Sequence, residues 1–97
     1  MESDTLAGQA ELLVRQVAHW TPARWAGRGD TVYALVQRLA DAAAVAEGQP
    51  SRPVPRLADT ALPDQVRVIV ADLLAAAPEA AVADALTADV RATRLAL

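Results

Sequence analysis

Residues 49–61 read QPSRPVPRLADTA, a stretch with three prolines and two arginines. Proline fixes φ and has no backbone N–H, so this stretch is incompatible with a regular helix or a central strand. It predicts an extended connector, partly in the polyproline II conformation. Because Val54 and Leu57 lie among its prolines and arginines, we expect both side chains to pack onto the rest of the protein and keep the connector ordered. The connector divides a single helical domain, residues 1–97, into halves at residues 1–48 and 62–97.

Two helical segments are predicted at the start of the first half. Ser3 is a candidate N-cap, and the apolar residues after it recur at helical spacing, so we expect a helix over about residues 4–19. Its apolar face comprises Leu6, Ala10, Leu13, Val14 and Val17. Thr21 and Pro22 follow as a cap residue and a proline at the first helical position. They predict a short helical turn through Trp25.

A longer helix is predicted in the remainder of the first half. Gly27 and Gly29 interrupt the chain, and Asp30 is a candidate cap for a helix that runs to about Glu47. Gly48 is expected to end this helix, because glycine readily adopts the left-handed conformation of a C-cap. The apolar face of the helix comprises Val32, Leu35, Val36, Leu39 and Ala43.

The second half contains two further helical patterns. The first begins near Pro63 and Asp64, and the second has Pro78 as an early residue. Their apolar faces comprise Val66, Ile69, Val70, Leu73, Leu74 and Ala77 in the first, and Val82, Leu86, Val90 and Leu97 in the second. Residues 66–70 are rich in β-branched side chains, but no other segment is a suitable sheet partner. We therefore predict an all-α fold: a small four-helix bundle of two helical hairpins, with the Pro-rich crossover between helices 2 and 3.

Composition indicates the class of protein and its compartment. All nine basic residues are arginine and the chain has no lysine or cysteine, a bias typical of a GC-rich bacterial genome. Without cysteine there is no disulfide framework, and the cytoplasm is the expected location. No apolar run approaches the roughly 20 residues that a membrane-spanning helix needs, so no membrane association is expected.

The residue inventory argues against enzymatic chemistry. His19 is the only histidine, and the only serines are Ser3 and Ser51, so no nucleophile with a base and an orienting group can be assembled. The Glu-x-x-His pairs of di-iron bundles do not occur, and residues 27–30, GRGD, match neither the dinucleotide nor the P-loop pattern. We therefore predict no catalytic residues, no metal site and no cofactor, and we expect the protein not to be an enzyme.

All three aromatic residues of the chain lie close together in sequence, alongside basic residues. The group comprises His19, Trp20, Arg24, Trp25, Arg28 and Tyr33, which we predict as the partner- or ligand-binding candidates. One interpretation is that Trp20 and Trp25 fill the corner between two helices, with Tyr33 nearby and the arginine stems covering the rings. The other is that Trp25 is partly exposed among the arginines, in the composition that concentrates binding energy at protein interfaces.

Three functions follow in order of preference. The first is a non-enzymatic protein-protein interaction or accessory module, either self-associating or bound to a protein partner. The second is a small-molecule-binding bundle that uses the aromatic and arginine residues. The third is a DNA-associated regulator, against which stand a net charge of −3 and a pI near 4.9, because attraction to phosphates dominates nucleic-acid affinity.

Overall fold

Residues 4–97, which a computed structural model describes, form five α-helices and no β-strand. The helices are α1 (Leu6–Val17), α2 (Pro22–Trp25), α3 (Gly29–Glu47), α4 (Leu62–Ala75) and α5 (Ala80–Ala96), with a 3₁₀ turn at Asp59–Ala61 just before α4. The all-α prediction is confirmed. No helix within residues 4–97 is both long enough and apolar enough to cross a membrane.

The caps of the first two helices explain where they begin. The Thr5 hydroxyl accepts a hydrogen bond from the Gly8 N–H at 2.9 Å, so α1 starts at Leu6. The predicted cap, Ser3, lies outside the described residues. At α2, the Thr21 hydroxyl accepts from the Arg24 N–H at 3.2 Å, and Pro22 occupies the first turn as expected.

Helix α3 ends where the sequence predicts but begins differently. Its N-cap is Arg28, which makes no side-chain cap hydrogen bond, and Asp30 lies inside the first turn. The prediction of Asp30 as the cap was therefore wrong, although a carboxylate in the first turn still interacts favourably with the helix dipole. At the other end Gly48 has φ 69°, and its N–H reaches the carbonyls of Ala44 and Val45.

The core is built mainly from the helical apolar faces that the sequence predicts, and it also contains Leu62 and Trp25, which were in none of them. Its fully buried members include Leu13, Leu35, Leu39, Leu62, Leu73 and Val90. Four predicted contacts are absent: Leu57, Leu74, Ala77 and Val82 are exposed. Ala77 lies beyond the end of α4, Leu74 borders a groove between α1 and α4, and Val82 borders a cleft beside the end of α3. Val54 is partly buried against the core, as expected.

The helices do not pack as two hairpins. Helix α3 packs mainly on α4 and α5, and α1 also packs on α4 and α5, so neither predicted pair, α1 with α3 or α4 with α5, makes the main contacts. Gly29 at the start of α3 lies against Asp59 just before α4, and later residues of the same two helices, Ala43 and Ile69, border one groove. Helices α3 and α4 therefore run parallel.

The length of the connector accounts for this arrangement. Helix α3 has 19 residues, which corresponds to about 28 Å at 1.5 Å per residue. Residues 49–58 are free of helix, and in an extended polyproline II conformation they span about 31 Å. The connector thus returns the chain along α3 to the level at which α3 began. The connection predicted between α3 and α4 was such a crossover. The predicted hairpins lay within each half of the chain, α1 with α3 and α4 with α5, and these are not the helix pairs that make the main contacts.

An ion pair joins α3 to α5. Arg38 donates to the two carboxylate oxygens of Asp89 from Nε and Nη2, at 2.7 and 2.9 Å. These hydrogen bonds raise the pKa of the Arg38 guanidinium above its ordinary value. The pair is partly exposed, so its contribution to stability is at most about 1 kcal/mol. It fixes the register of two antiparallel helices.

The close approach of Gly29 to Asp59 can be tested by adding one methyl group. A Cβ at position 29 would overlap the Asp59 carboxylate, which Arg56 holds at 3.1 Å. Although alanine favours helix more than glycine does, we expect Gly29→Ala to lower the free energy of unfolding by about 1 kcal/mol through overpacking. Urea unfolding followed by circular dichroism measures this. In an Asp59→Ala background the same change should be neutral or stabilising; destabilisation there too would contradict the contact.

Candidate functional site

Trp25 belongs to the core. Its side chain is only 1% exposed, and the single turn of α2 that carries it packs against the 3₁₀ turn before α4. The interpretation that Trp25 is partly exposed among arginines was therefore wrong. The turn begun by Thr21 and Pro22 places this ring in the core, as the first interpretation predicted for Trp25.

Trp20 lies on Trp25 and is only partly buried. The two rings meet edge to face, with centroids 5.0 Å apart and planes inclined by 69°, an arrangement that aromatic pairs prefer. The guanidinium carbon of Arg24 lies 5.1 Å from the centroid of the Trp20 ring, and that of Arg28 lies 5.9 Å from it. Both distances are within the range of cation–π attraction. We call Trp20, Arg24 and Arg28, with Trp25 beneath them, the aromatic corner.

The two arginines of the aromatic corner are not neutralised by carboxylates. Arg28 donates from Nη1 to the backbone carbonyl of Arg24 at 2.9 Å, which holds the two residues close together. Both are exposed, and within residues 4–97 neither forms an ion pair. His19, also exposed, directly precedes Trp20. The corner therefore presents positive charge at the surface of a protein whose net charge is −3.

Tyr33 is separate from the aromatic corner. Its hydroxyl donates a hydrogen bond to the Val54 carbonyl, and the Arg56 guanidinium lies 4.9 Å from its ring centroid. Among the described residues its ring makes no contact with either tryptophan ring. Four of the six predicted site residues thus form the aromatic corner, and His19 directly precedes it in sequence. Tyr33 instead fastens the connector to α3.

The residues that fasten the connector to the rest of the protein were not among those predicted from the sequence. Arg56 bridges Asp30 at 3.0 Å and Asp59 at 3.1 Å. Gln37 accepts from the Val54 N–H at 2.8 Å and donates to the Arg52 carbonyl at 3.1 Å. Gln37, beside the apolar face of α3, could have indicated this role from the sequence, because the backbone N–H and C=O groups of an extended connector need hydrogen-bond partners.

Two surface grooves lie away from the aromatic corner. Each has a volume of about 420 Å³. One is bordered by the end of α3, the connector and α4, and the other by the connector and α4. No residue of the corner lines either groove. In the part of the chain that is described, no group of three or more His, Asp or Glu side chains is placed to hold a metal ion. The corner is thus suited to a surface contact more than to enclosure of a ligand.

Comparison with known proteins finds no similarity. No protein-family model matches the chain, and no curated protein or solved structure shows significant similarity to it.

The different burial of the two tryptophans predicts different costs of removing them. Trp25→Ala leaves a large cavity in the core and should lower the free energy of unfolding by about 3–5 kcal/mol. Trp20→Ala removes a half-buried ring and should cost about 1–2 kcal/mol. Denaturant unfolding monitored by far-UV circular dichroism measures both values. Equal costs for the two variants would contradict the assignment of Trp25 alone to the core.

The Tyr33 hydroxyl should stabilise the connector. Tyr33→Phe removes the donor to the Val54 carbonyl and keeps the ring under Arg56, so we expect a loss of about 1 kcal/mol. Hydrogen exchange of the Val54 amide, which is bonded to Gln37, should become faster, while amides in α1 keep their protection. Unchanged exchange at Val54 would show that the hydroxyl does not hold the connector.

Proposed function

We propose that the protein is a non-enzymatic helical interaction module that binds a protein partner through the aromatic corner. The observation that carries this proposal is that two guanidinium groups cover one partly exposed tryptophan ring, at 5.1 and 5.9 Å, and are left without carboxylate partners among residues 4–97. Tryptophan and arginine are the residues most enriched among those that dominate binding energy at interfaces.

The charge of the corner defines the partner. Two arginines that pair with no acid in the described chain can form charge-assisted, bidentate hydrogen bonds with carboxylates, and such bonds are stronger than those between neutral groups. The ring of Trp20 adds apolar area between them. We infer that the partner presents an acidic segment with an apolar side chain near its carboxylates.

Contacts within the corner restrain two of its side chains, Trp20 and Arg28, before binding. Trp25 anchors Trp20 from below, and the Arg28 bond to the Arg24 carbonyl restricts one arginine. Side chains that are already ordered lose less conformational entropy when a partner binds. Local order of this kind favours a recognition role.

Several finer statements belong with this proposal. We propose that the four long helices constitute a four-helix bundle with the connector as its crossover, and that the protein acts in the cytoplasm of a bacterium with a GC-rich genome. Self-association through the corner is a variant of the same function, because exposed carboxylates occur elsewhere on the chain. A small anionic ligand would require the same arginines but an enclosing pocket, and no groove described above is lined by the corner.

Affinity capture with matched variants tests the proposal. The tagged protein is incubated with a lysate of a GC-rich bacterium that encodes it, and retained proteins are quantified by mass spectrometry. A partner retained by the wild type should bind the Arg24→Ala/Arg28→Ala variant at least about tenfold more weakly in a purified titration. The Trp20 fluorescence should change when that partner binds.

The matched control removes two other exposed arginines. Arg15→Ala/Arg91→Ala changes the net charge equally and lies outside the corner, so it should bind the partner as the wild type does. Equal weakening by both double variants would show that only overall charge matters and would overturn the proposal. Recovery of the protein alone, with concentration-dependent mass that the Arg24→Ala/Arg28→Ala variant abolishes, would assign the corner to self-association.

A further inference from the structure

The end of the molecule where α3 and α4 stop is apolar and exposed. Residues 42–46 read AAAVA, and only Ala43 among them is buried. Val45 is 76% exposed and Val82, in the first turn of α5, is 40% exposed. A helical segment that is apolar on all sides is normally covered by other structure. Here the last turn of α3 projects apolar side chains that nothing in the described chain covers.

A cleft runs beside this segment. It has a volume of about 360 Å³ and lies between the last turns of α3 and the turn that leads from α4 to α5. Its apolar lining consists of Ala42, Val45, Ala46, Ala77, Pro78 and Val82. On the other flank of α3, a groove of about 420 Å³ is bordered by further small residues, the connector and Ile69. We call the cleft, this groove and Val45 between them the α3-end surface.

The charges that border the α3-end surface are mainly negative. Glu47, Asp72 and Glu79 are exposed lining residues, and within residues 4–97 none of the three forms an ion pair. Arg52 is the single cation among the residues that line the cleft and the groove. The rim therefore complements a partner with basic groups on either side of an apolar stripe.

Two helix C-termini add to the same sign of charge, while the N-terminus of α5, which also lies here, has Glu79 as its N-cap residue. Helices α3 and α4 both terminate at this end of the molecule, and neither has a basic residue in its last turn. Their last turns contain Glu47 and Asp72, respectively. A helix C-terminus carries partial negative charge, so an acidic side chain there is unfavourable and a cation is favourable. A basic partner would supply the cations that the chain itself does not place there.

We propose that the α3-end surface is a docking site for a basic amphipathic helix of a protein partner. The apolar face of that helix packs on Val45 and into the cleft, as in other helix-in-groove complexes. Arginine or lysine side chains along its edges pair with Glu47, Asp72 and Glu79. This site is at the opposite end of α3 from the aromatic corner, and it does not depend on the function proposed for the corner.

Two matched pools of helical peptides test this site. Both pools carry the same randomised Leu, Ile, Met and Phe positions at helical spacing, and they differ in that the flanking positions are all Arg or Lys in one and all Glu in the other. The full-length protein should select binders from the basic pool and none from the acidic pool. Val45→Asp should weaken the selected peptide by at least about tenfold.

Replacing Val45 by aspartate distinguishes docking at the α3-end surface from attraction by net charge alone. Val45→Asp makes the protein more acidic, so a basic peptide held only by net charge would bind this variant more tightly. The matched control is Val68→Asp, which makes the same change at another exposed valine, 60% exposed and on α4, and should leave affinity near that of the wild type. Because both valines are exposed, both variants are expected to fold, and circular dichroism confirms this.

Other outcomes would overturn the proposal. Absence of binders in the basic pool, equal selection from both pools, or equal weakening by Val45→Asp and Val68→Asp would each do so. Sedimentation equilibrium of the protein alone addresses a second copy as the occupant, since the end of α5 presents Arg91 and the exposed Leu95. If the apparent mass rises with concentration and Val45→Asp abolishes the rise, the occupant of the α3-end surface is a second copy of the protein and the proposal of a basic helix is overturned.

Discussion

The extended connector, residues 49–61, is the constraint on which the helix arrangement depends. Its prolines exclude helix and set the rise per residue at about twice that of α3, so a short segment returns the chain along the full length of that helix. The return is held by side chains of α3: Gln37 and Tyr33 bond to the backbone at Val54, and Asp30 pairs with Arg56. A connector that adopted helix or moved freely would not bring α4 to the start of α3.

The direction of α4 determines which chemistry meets at each end of the molecule. Because α3 and α4 run parallel, their C-termini lie at the same end, where Glu47 and Asp72 add to the negative helix ends. Their N-termini lie at the other end, together with the aromatic corner. The first turn of α5 lies at this end too, so the negative charge of the α3-end surface depends on the side chains of Glu47, Asp72 and Glu79 more than on the helix ends.

The sequence predicted local structure well and tertiary arrangement poorly. The Thr21–Pro22 turn, the end of α3 at Gly48 and the burial of the main apolar faces all follow from interactions within a few residues. The predicted pairs, α1 with α3 and α4 with α5, do not make the main helix contacts, because helix pairing depends on contacts between distant segments that the spacing within each helix does not specify. The interpretation that Trp25 is partly exposed was wrong for a related reason. A four-residue turn can direct a side chain inward or outward, and the packing of α2 on the turn before α4 makes the choice.

The aromatic corner shows how one buried residue can prepare an exposed site. Trp25 is buried in the core, yet its edge-to-face contact orients Trp20. The Trp20 ring in turn attracts the guanidinium groups of Arg24 and Arg28. Their proximity in sequence grouped these residues correctly, but it could not show that Trp25 is buried while Trp20 and the two arginines lie at the surface. Since large aromatic rings bury the most area in a small core, loss of the anchor would change both stability and surface. For this reason the arginines, which are exposed, are the residues through which the proposed recognition at the corner can be tested while the fold is preserved.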